Sequence, residues 1–484
     1  MIEEYLKYRP LLDDTGIMIG LEIHVQLNKL NTKIFCGCGL DYHNDPPNTH
    51  TCPVCLGLPG SLPVINRKAV EYSIKVGLAL NCSIQEHTQF YRKNYYYPDL
   101  PKGFQITQYD FPLASNGYIN IEGENKEVRI RINRAHMEED PGRLVHEGGN
   151  IERSKHTMID YNRSGVALLE IVTEPDLRSP KEARRFLDKL RSIIEYLDVC
   201  NTSLEGATRV DANISLAGGS RSEIKNISSH KGAERALLFE VVRQKNLLRR
   251  GGKVVLETRH FNEEMGITVS LRTKEEEHDY RYFPEADLVP IKVADWAPGI
   301  AKTLPELPDA KRERFVSQYG ISDDHAKSLT SEKRLAQFYE EVAAHVNPKM
   351  AAVWTADVLK GELNYRDIGI TDFKSEDMVK LLKLVADDKI TDSSGNQIIR
   401  TVLDEGGSPD SIVEREGLLK AGGDIIGTAV DEAINENPQA VTDYQNGKQE
   451  AVNFLIGQVM KKTRGRSDAK AVREMIIEKF KGIM

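Results

Sequence analysis

From Ile17 to Leu27 the chain alternates strictly, IMIGLEIHVQL, which predicts a strand with Ile19, Leu21, Ile23 and Val25 on one face and Glu22 and His24 on the other. GYINIEG (117–123) and KEVRIRIN (126–133) read as strands for the same reason. The period changes in SPKEARRFLDKLRSIIEYLDV (179–199), where apolar residues recur at helical spacing behind Ser179 as N-cap and Pro180 in the first turn. KGAERALLFEVVRQKNLLRR (231–250) is a second helix, ended by Gly251-Gly252. After WAPGIAKTLPELPDA (296–310) the pattern is helical: SEKRLAQFYEEVAAHV, MAAVWTADVLKGELN and DMVKLLKLVADD are amphipathic and joined by short polar breaks. A further break falls at DEGGSPD (404–410). The expected fold is therefore α+β: a β-rich cradle over residues 1–292, a helical domain over 293–406 and a small helical tail domain over 407–484.

Composition narrows the class. At 484 residues the chain is too long for one core, and 40% hydrophobic with 29% charged residues describes an ordered globular protein. Its first residues are acidic, and no run approaches the roughly 18 apolar residues of a membrane span, so a cytoplasmic protein without membrane attachment is expected. The net charge of −8 gives no general attraction to nucleic acid. Between Lys461 and Lys481, however, eight Lys or Arg stand against three Asp or Glu, a footprint for RNA or a solvated helix face.

Four of the six cysteines lie in FCGCGLDYHNDPPNTHTCPVC (35–55): Cys36 and Cys38 form one pair, Cys52 and Cys55 another. Two close pairs give tetrahedral thiolate coordination, so a structural zinc knuckle is expected. Four thiolates leave no open coordination position, which argues against catalysis at this metal. His43 and His50, between the pairs, read as loop histidines, and Cys82 and Cys200 as small buried side chains.

Carboxylates interrupt other apolar runs. Glu170 sits inside Val166–Val172, where an ionised group requires either a functional cation or a structural ion pair. His136, Glu138, Glu139 and Asp140 end a strand-like run before a Pro-Gly turn. Such oxygen donors fit Mg²⁺, and Mg²⁺ commonly accompanies nucleotide phosphates. There is neither a Walker-type phosphate loop nor a G-x-S-x-G nucleophile motif.

IGLEIHVQL, CPVCLGLPGSLP, RKNYYYPDLPKGFQITQYD, HMEEDPGRL, DYNRSGVALLEIVTEPD, DANIS, KNISS, ETR and DYRYFPEADL together resemble the B subunits of tRNA-dependent aspartyl/glutamyl amidotransferases. The resemblance runs in order from about residue 17 to 290 and continues more weakly to GQVMKKTRGR. It implies an ATP- and Mg²⁺-dependent ligase that phosphorylates the side-chain carboxylate of mischarged Glu-tRNA(Gln) or Asp-tRNA(Asn). Ammonia channelled from an A-type amidase then displaces the phosphate, with a small C-type protein stabilising the heterotrimer and the helical tail gripping tRNA. The resemblance places Glu22, His24, Glu138 and Glu170 at the metal, and Lys93 and Lys102 on the ammonia path. It also points to Asn213, Lys225, Asn226, Arg259, Arg272 and Tyr282 for the phosphates and the charged 3′ end. One departure is the proline of EEDPGRL, where alanine is expected before the glycine. Two alternatives are a tRNA-binding adaptor without chemistry, and the related archaeal E-type protein, for whose insert domain this chain leaves no room.

Overall fold

The computed structural model describes residues 16–483 apart from 125, 147–155, 217–218, 274–279 and 446–447. The chain forms two compact units, Met1–Leu307 and Pro308–Met484.

The first unit is built on a 12-stranded mixed sheet. Its main strands are β1 (Ile17–Gln26), β2 (Phe90–Asn94), β3 (Phe104–Gln108), β4 (Ala114–Glu122), β5 (Glu127–Glu139), β6 (Ala167–Thr173), β7 (Thr208–Leu216), β8 (Ser222–Ile227), β9 (Glu257–Asn262) and β10 (Ile267–Thr273). They run in the order β10-β9-β8-β7-β1-β6-β5-β3-β2, with β4 paired to β5. The alternation read from 17–27 is the observed strand. Ile19, Leu21, Ile23 and Val25 are at most 2% exposed, so one face of the central strand is entirely core. Three helices cover that face. α1 (Arg67–Ala79) packs on β4 and β5, α2 (Pro180–Leu197) on β4, and α3 (His230–Arg249) on β7 and β8. The other face, which carries Glu22 and His24, is left for polar side chains.

Local signals set the helix ends. The Ser179 hydroxyl accepts from the Glu182 amide at 3.2 Å, and Pro180 opens α2 where no amide hydrogen is needed. Ser229 caps α3 in the same way, accepting from the Gly232 amide at 2.9 Å. Gly251 follows it at φ +75°, a conformation glycine enters without a Cβ penalty. Residues 293–307 pack with this unit: Trp296, Ala297, Ile300, Leu304 and Leu307 lie against its core.

The second unit is helical throughout its regular elements. Residues 421–480 form a core cluster of their own around Val430, Leu455, Val459, Val472 and Ile476. The expected basic surface near the C-terminus is partly neutralised from within. Lys462 binds Glu432 and Glu436 at 2.9 and 2.8 Å, and Lys479 binds Asp431. No described helix is long and apolar enough to cross a membrane.

Candidate active site and cysteine knuckle

Strand register assembles the candidate site. His24 of β1 lies directly opposite Glu170 of β6 and Arg209 of β7, and Glu170 lies opposite His136 of β5. Cross-strand neighbours share a sheet face, so His136, Glu170, His24 and Arg209 form one polar row, with Glu138 two residues along from His136. A second row follows two residues along β1, where Glu22 faces Asp211. Between β7 and β8 a bulge sets Lys225 and Asn226 of β8 against the single Asp211, a device that re-aims side chains.

The rows make two donor clusters. His24 Nε2 is 3.4 Å from Glu170 Oε2 and 3.6 Å from Glu138 Oε1, and His136 Nε2 reaches Glu170 at 3.5 Å. One ligand atom from each of His24, Glu138 and Glu170 lies within 4.8 Å of the others, and the same holds for Glu22, Asp211 and Glu223. Lys225 Nζ closes the second cluster, 3.1 Å from Asp211 and 3.7 Å from Glu223. Asn213 donates to Glu22 at 3.0 Å, leaving its own Oδ1 buried without a hydrogen-bond partner. His136 Nδ1 is likewise buried and unpartnered. Gathered carboxylates and orphaned polar atoms are what a cation site requires, so these residues fit Mg²⁺.

Titration follows the same crowding. Burial pushes His136 down to about 4, so it is neutral. Burial also opposes a charged His24, but the hydrogen bond and charge of Glu170 with the charges of Glu138 and Asp211 carry it up to about 9. Burial, then the Glu170 charge, pushes Glu138 up to about 7. Burial works against ionised Glu170 too, yet His136, His24 and Lys93 hold it well below the usual carboxylate range. Lys93 is desolvated but stays charged, because Tyr282, Glu138, Tyr95 and Glu170 surround it. Its ammonium lies 4.8 Å from the Tyr280 ring centroid.

Behind these groups sits a buried anchor. Asp140 accepts from Gln26 Nε2 at 2.6 Å and Arg209 Nη2 at 2.5 Å, with Arg163 Nε at 3.7 Å. Burial opposes its charge, but Arg209 and Arg163 lower its pKa all the same.

The structure regroups the residues singled out from sequence. Glu22 joins Asp211 and Glu223 rather than the other three metal candidates. Lys93 and Lys225 line the site with them, as does Tyr282, which stacks on Tyr109 at 4.1 Å. Lys102 is instead engaged by Glu139 at 2.5 Å. Arg259 spends its guanidinium on Glu240, Glu257 and Thr268, in a buried network between β9 and α3. The side chains of Asn226 and Arg272 lie outside the described residues. Sequence reading missed Asp211, Glu223 and Arg209; an acid within DANIS at strand spacing from Asn213 was the available signal.

The cysteine pairs converge: one Sγ from each of Cys36, Cys38, Cys52 and Cys55 lies within 4.8 Å of the others, which fits a four-thiolate zinc. The hydrogen bond from Cys36 holds the Cys55 thiol down to about 4 against burial, and Lys33 adds to it. Lys33 is fully buried, donating to His50 O at 2.7 Å and Tyr161 O at 3.4 Å, 3.7 Å from Cys55 Sγ. The knuckle is zipped to the segment before β6. His50 N donates to Asn162 at 2.7 Å, Tyr161 N to Asn48 at 2.7 Å, and Ser164 to Cys55 O at 3.3 Å. It therefore braces the approach to Glu170 as well as the loop after β1.

A family model described as the GatB/GatE catalytic domain matches residues 17–297, and one described as the GatB domain matches 337–480. The chain is similar to a protein of Methanococcoides burtonii named as the B subunit of an aspartyl/glutamyl-tRNA(Asn/Gln) amidotransferase. The two are 64% identical over 96% of this chain and 98% of that protein. Proteins of the same name match from Methanosarcina barkeri, at 62% over 96% of this chain and 99% of that one, and from Haloquadratum walsbyi, at 51% over 96% and 97%.

Proposed function

This chain belongs to the family of the GatB/GatE catalytic domain, and on that premise we propose that it is the B subunit of an amidotransferase converting mischarged Asp-tRNA(Asn), Glu-tRNA(Gln) or both to Asn-tRNA(Asn) and Gln-tRNA(Gln) respectively. It is one component of a carbon–nitrogen ligase, and its relatives' name carries the reading through to the substrate. The observation that supports the chemistry is the pair of carboxylate clusters flanked by Lys93 and Lys225 on one sheet face.

ATP is the phosphoryl donor in this reading. The aminoacyl side-chain carboxylate attacks the γ-phosphorus, ADP leaves, and ammonia then displaces phosphate from the acyl phosphate to give the amide. Such a transfer needs positioning and charge neutralisation more than a protein nucleophile. His24, Glu138 and Glu170 would hold one Mg²⁺, and Glu22, Asp211 and Glu223 a second. Bound there, Mg²⁺ supplies compensation for phosphate charge. Asn213 orients Glu22, while Lys225 and Tyr282, which line the same cavity, would face the phosphates and the 3′ end. Asn226 and Arg272 keep the same role by resemblance, and Arg259 acts by fixing β9. Lys93 adjoins the carboxylates, where incoming ammonia would meet the acyl phosphate; Lys102 keeps its place on that path by resemblance alone. The cysteines hold a structural zinc. An A-type amidase and a small C-type protein complete the heterotrimer, and the helical tail grips tRNA.

The test is Glu138→Gln and Glu170→Gln in the assembled enzyme. Amide formation on mischarged tRNA falls at least about 100-fold while glutamine hydrolysis by the partner continues. Unchanged transamidation in both variants would refute the assignment, and tRNA binding without ATP turnover in the wild type would favour an adaptor.

A further inference from the structure

The loop between the cysteine pairs carries an arrangement that the metal does not explain. Tyr42 and His43 stack with ring centroids 4.5 Å apart and planes 13° from parallel. Tyr42 is half-buried and packs against the core, whereas His43 is exposed. The four thiolates complete a tetrahedral set without an imidazole. Both rings line a cavity of about 1020 Å³ that also contains His24, Glu138, Glu170 and Lys93. Arg163 and Arg209 line it as well, both already paired with Asp140. One cavity thus offers an aromatic face, the Lys93 ammonium and a carboxylate centre, surfaces that suit a base, a phosphate chain and a reacting phosphoryl group.

The loop that follows the two rings is tied down. His50 Nε2 meets Asp45 at 2.5 Å, Asn48 N donates to Asp160 at 3.0 Å, and Asn162 Nδ2 to Pro46 O at 2.9 Å. A ring already stacked on Tyr42, in a loop tied at both sides, loses less entropy when a base settles on it. A neutral or charged imidazole backed by a phenol offers the flat face on which purines stack.

We propose that His43, backed by Tyr42, is the stacking platform for an adenine ring carried into this cavity. Two substrates of the proposed reaction bring one: ATP, and the 3′-terminal adenosine of the aminoacyl-tRNA. The inference rests on that reading of the function. It gives the loop a binding task in addition to the bracing done by the cysteines.

His43→Ala and His43→Phe in the assembled enzyme test it, through Kd and KM for ATP and for mischarged tRNA measured separately. His43 touches none of the carboxylates, so kcat at saturation and the partner's glutamine hydrolysis stay near wild type. Loss of one stacked ring weakens binding about tenfold, and the aromatic His43→Phe restores it. A rise confined to ATP assigns the platform to the nucleotide, and a rise confined to tRNA assigns it to the 3′ adenosine. Unchanged constants for both substrates in His43→Ala would overturn the proposal, as would equal loss in Ala and Phe variants. If the wild-type enzyme shows no tRNA-dependent ATP turnover, the functional reading itself has failed, which the variants alone cannot produce.

Discussion

Replacing Asp140 by asparagine isolates the buried anchor behind the site. The carboxylate is 1% exposed and joins β1 through Gln26, β7 through Arg209 and the loop before β6 through Arg163. Removing one partner of a buried pair costs about 3–5 kcal/mol, because the remaining charge is left uncompensated. Here Arg209 is 34% and Arg163 21% exposed at the side chain, so water recovers part of that cost. Asparagine also keeps an acceptor for Gln26. The expected loss is about 2–3 kcal/mol, or roughly 3–5 °C in Tm for a unit the size of Met1–Leu307. The depressed carboxyl means this contribution is fully present above the unfolded value near pH ~4. It is lost as pH falls through the lower folded value. Differential scanning calorimetry of Asp140→Asn, Arg209→Met and the double variant measures it. The double variant should lose less than the sum of the singles, since removing both charges leaves neither stranded. A Tm within about 1 °C of wild type for Asp140→Asn, or strict additivity, would refute the reasoning.

Three further outcomes follow from other parts of the molecule. Cys52→Ser should lower Tm and release metal before it lowers specific activity; a fully folded but inactive Cys52→Ser protein would show that the cysteine metal takes part in the chemistry. Metal-free His24 and Glu138 hold protons up to about 9 and about 7, and a cation must displace them. Mg²⁺ affinity of the chain should therefore rise about tenfold per pH unit between pH ~7 and ~9, and more steeply below. Calorimetric titrations between about pH 6 and pH 9 check this, and a flat profile contradicts it. Ser179→Ala removes the cap of α2 and should cost about 1 kcal/mol, with Ser179→Gly costing less, read as shifts in the urea midpoint.

Several features were settled by local sequence. The β1 strand, with a core face and a polar face, follows from strict alternation, because a period of two leaves each residue only one side. Both long helices of the first unit start at serines whose hydroxyls do cap them. The cysteine spacing was sufficient to expect a metal knuckle, since a short loop brings two close pairs together at little entropic cost. Glu170 was conspicuous because a charge inside an apolar run demands a partner.

Which partner it has is a matter of register. His24, Glu170 and His136 lie far apart in the chain and become neighbours only because β1, β6 and β5 pair at those residues. The same long-range pairing gives Glu22 to Asp211 and Glu223, and commits Arg259 to Glu240 and Glu257. No local pattern encodes these choices: an acid or arginine on a strand has the same spacing whether it meets a ligand or a structural counter-charge. Sequence thus determined which side chains stand on the polar face of each strand. The tertiary pairing decided which of them share a cluster, because a slip of two residues would keep every face and change every neighbour.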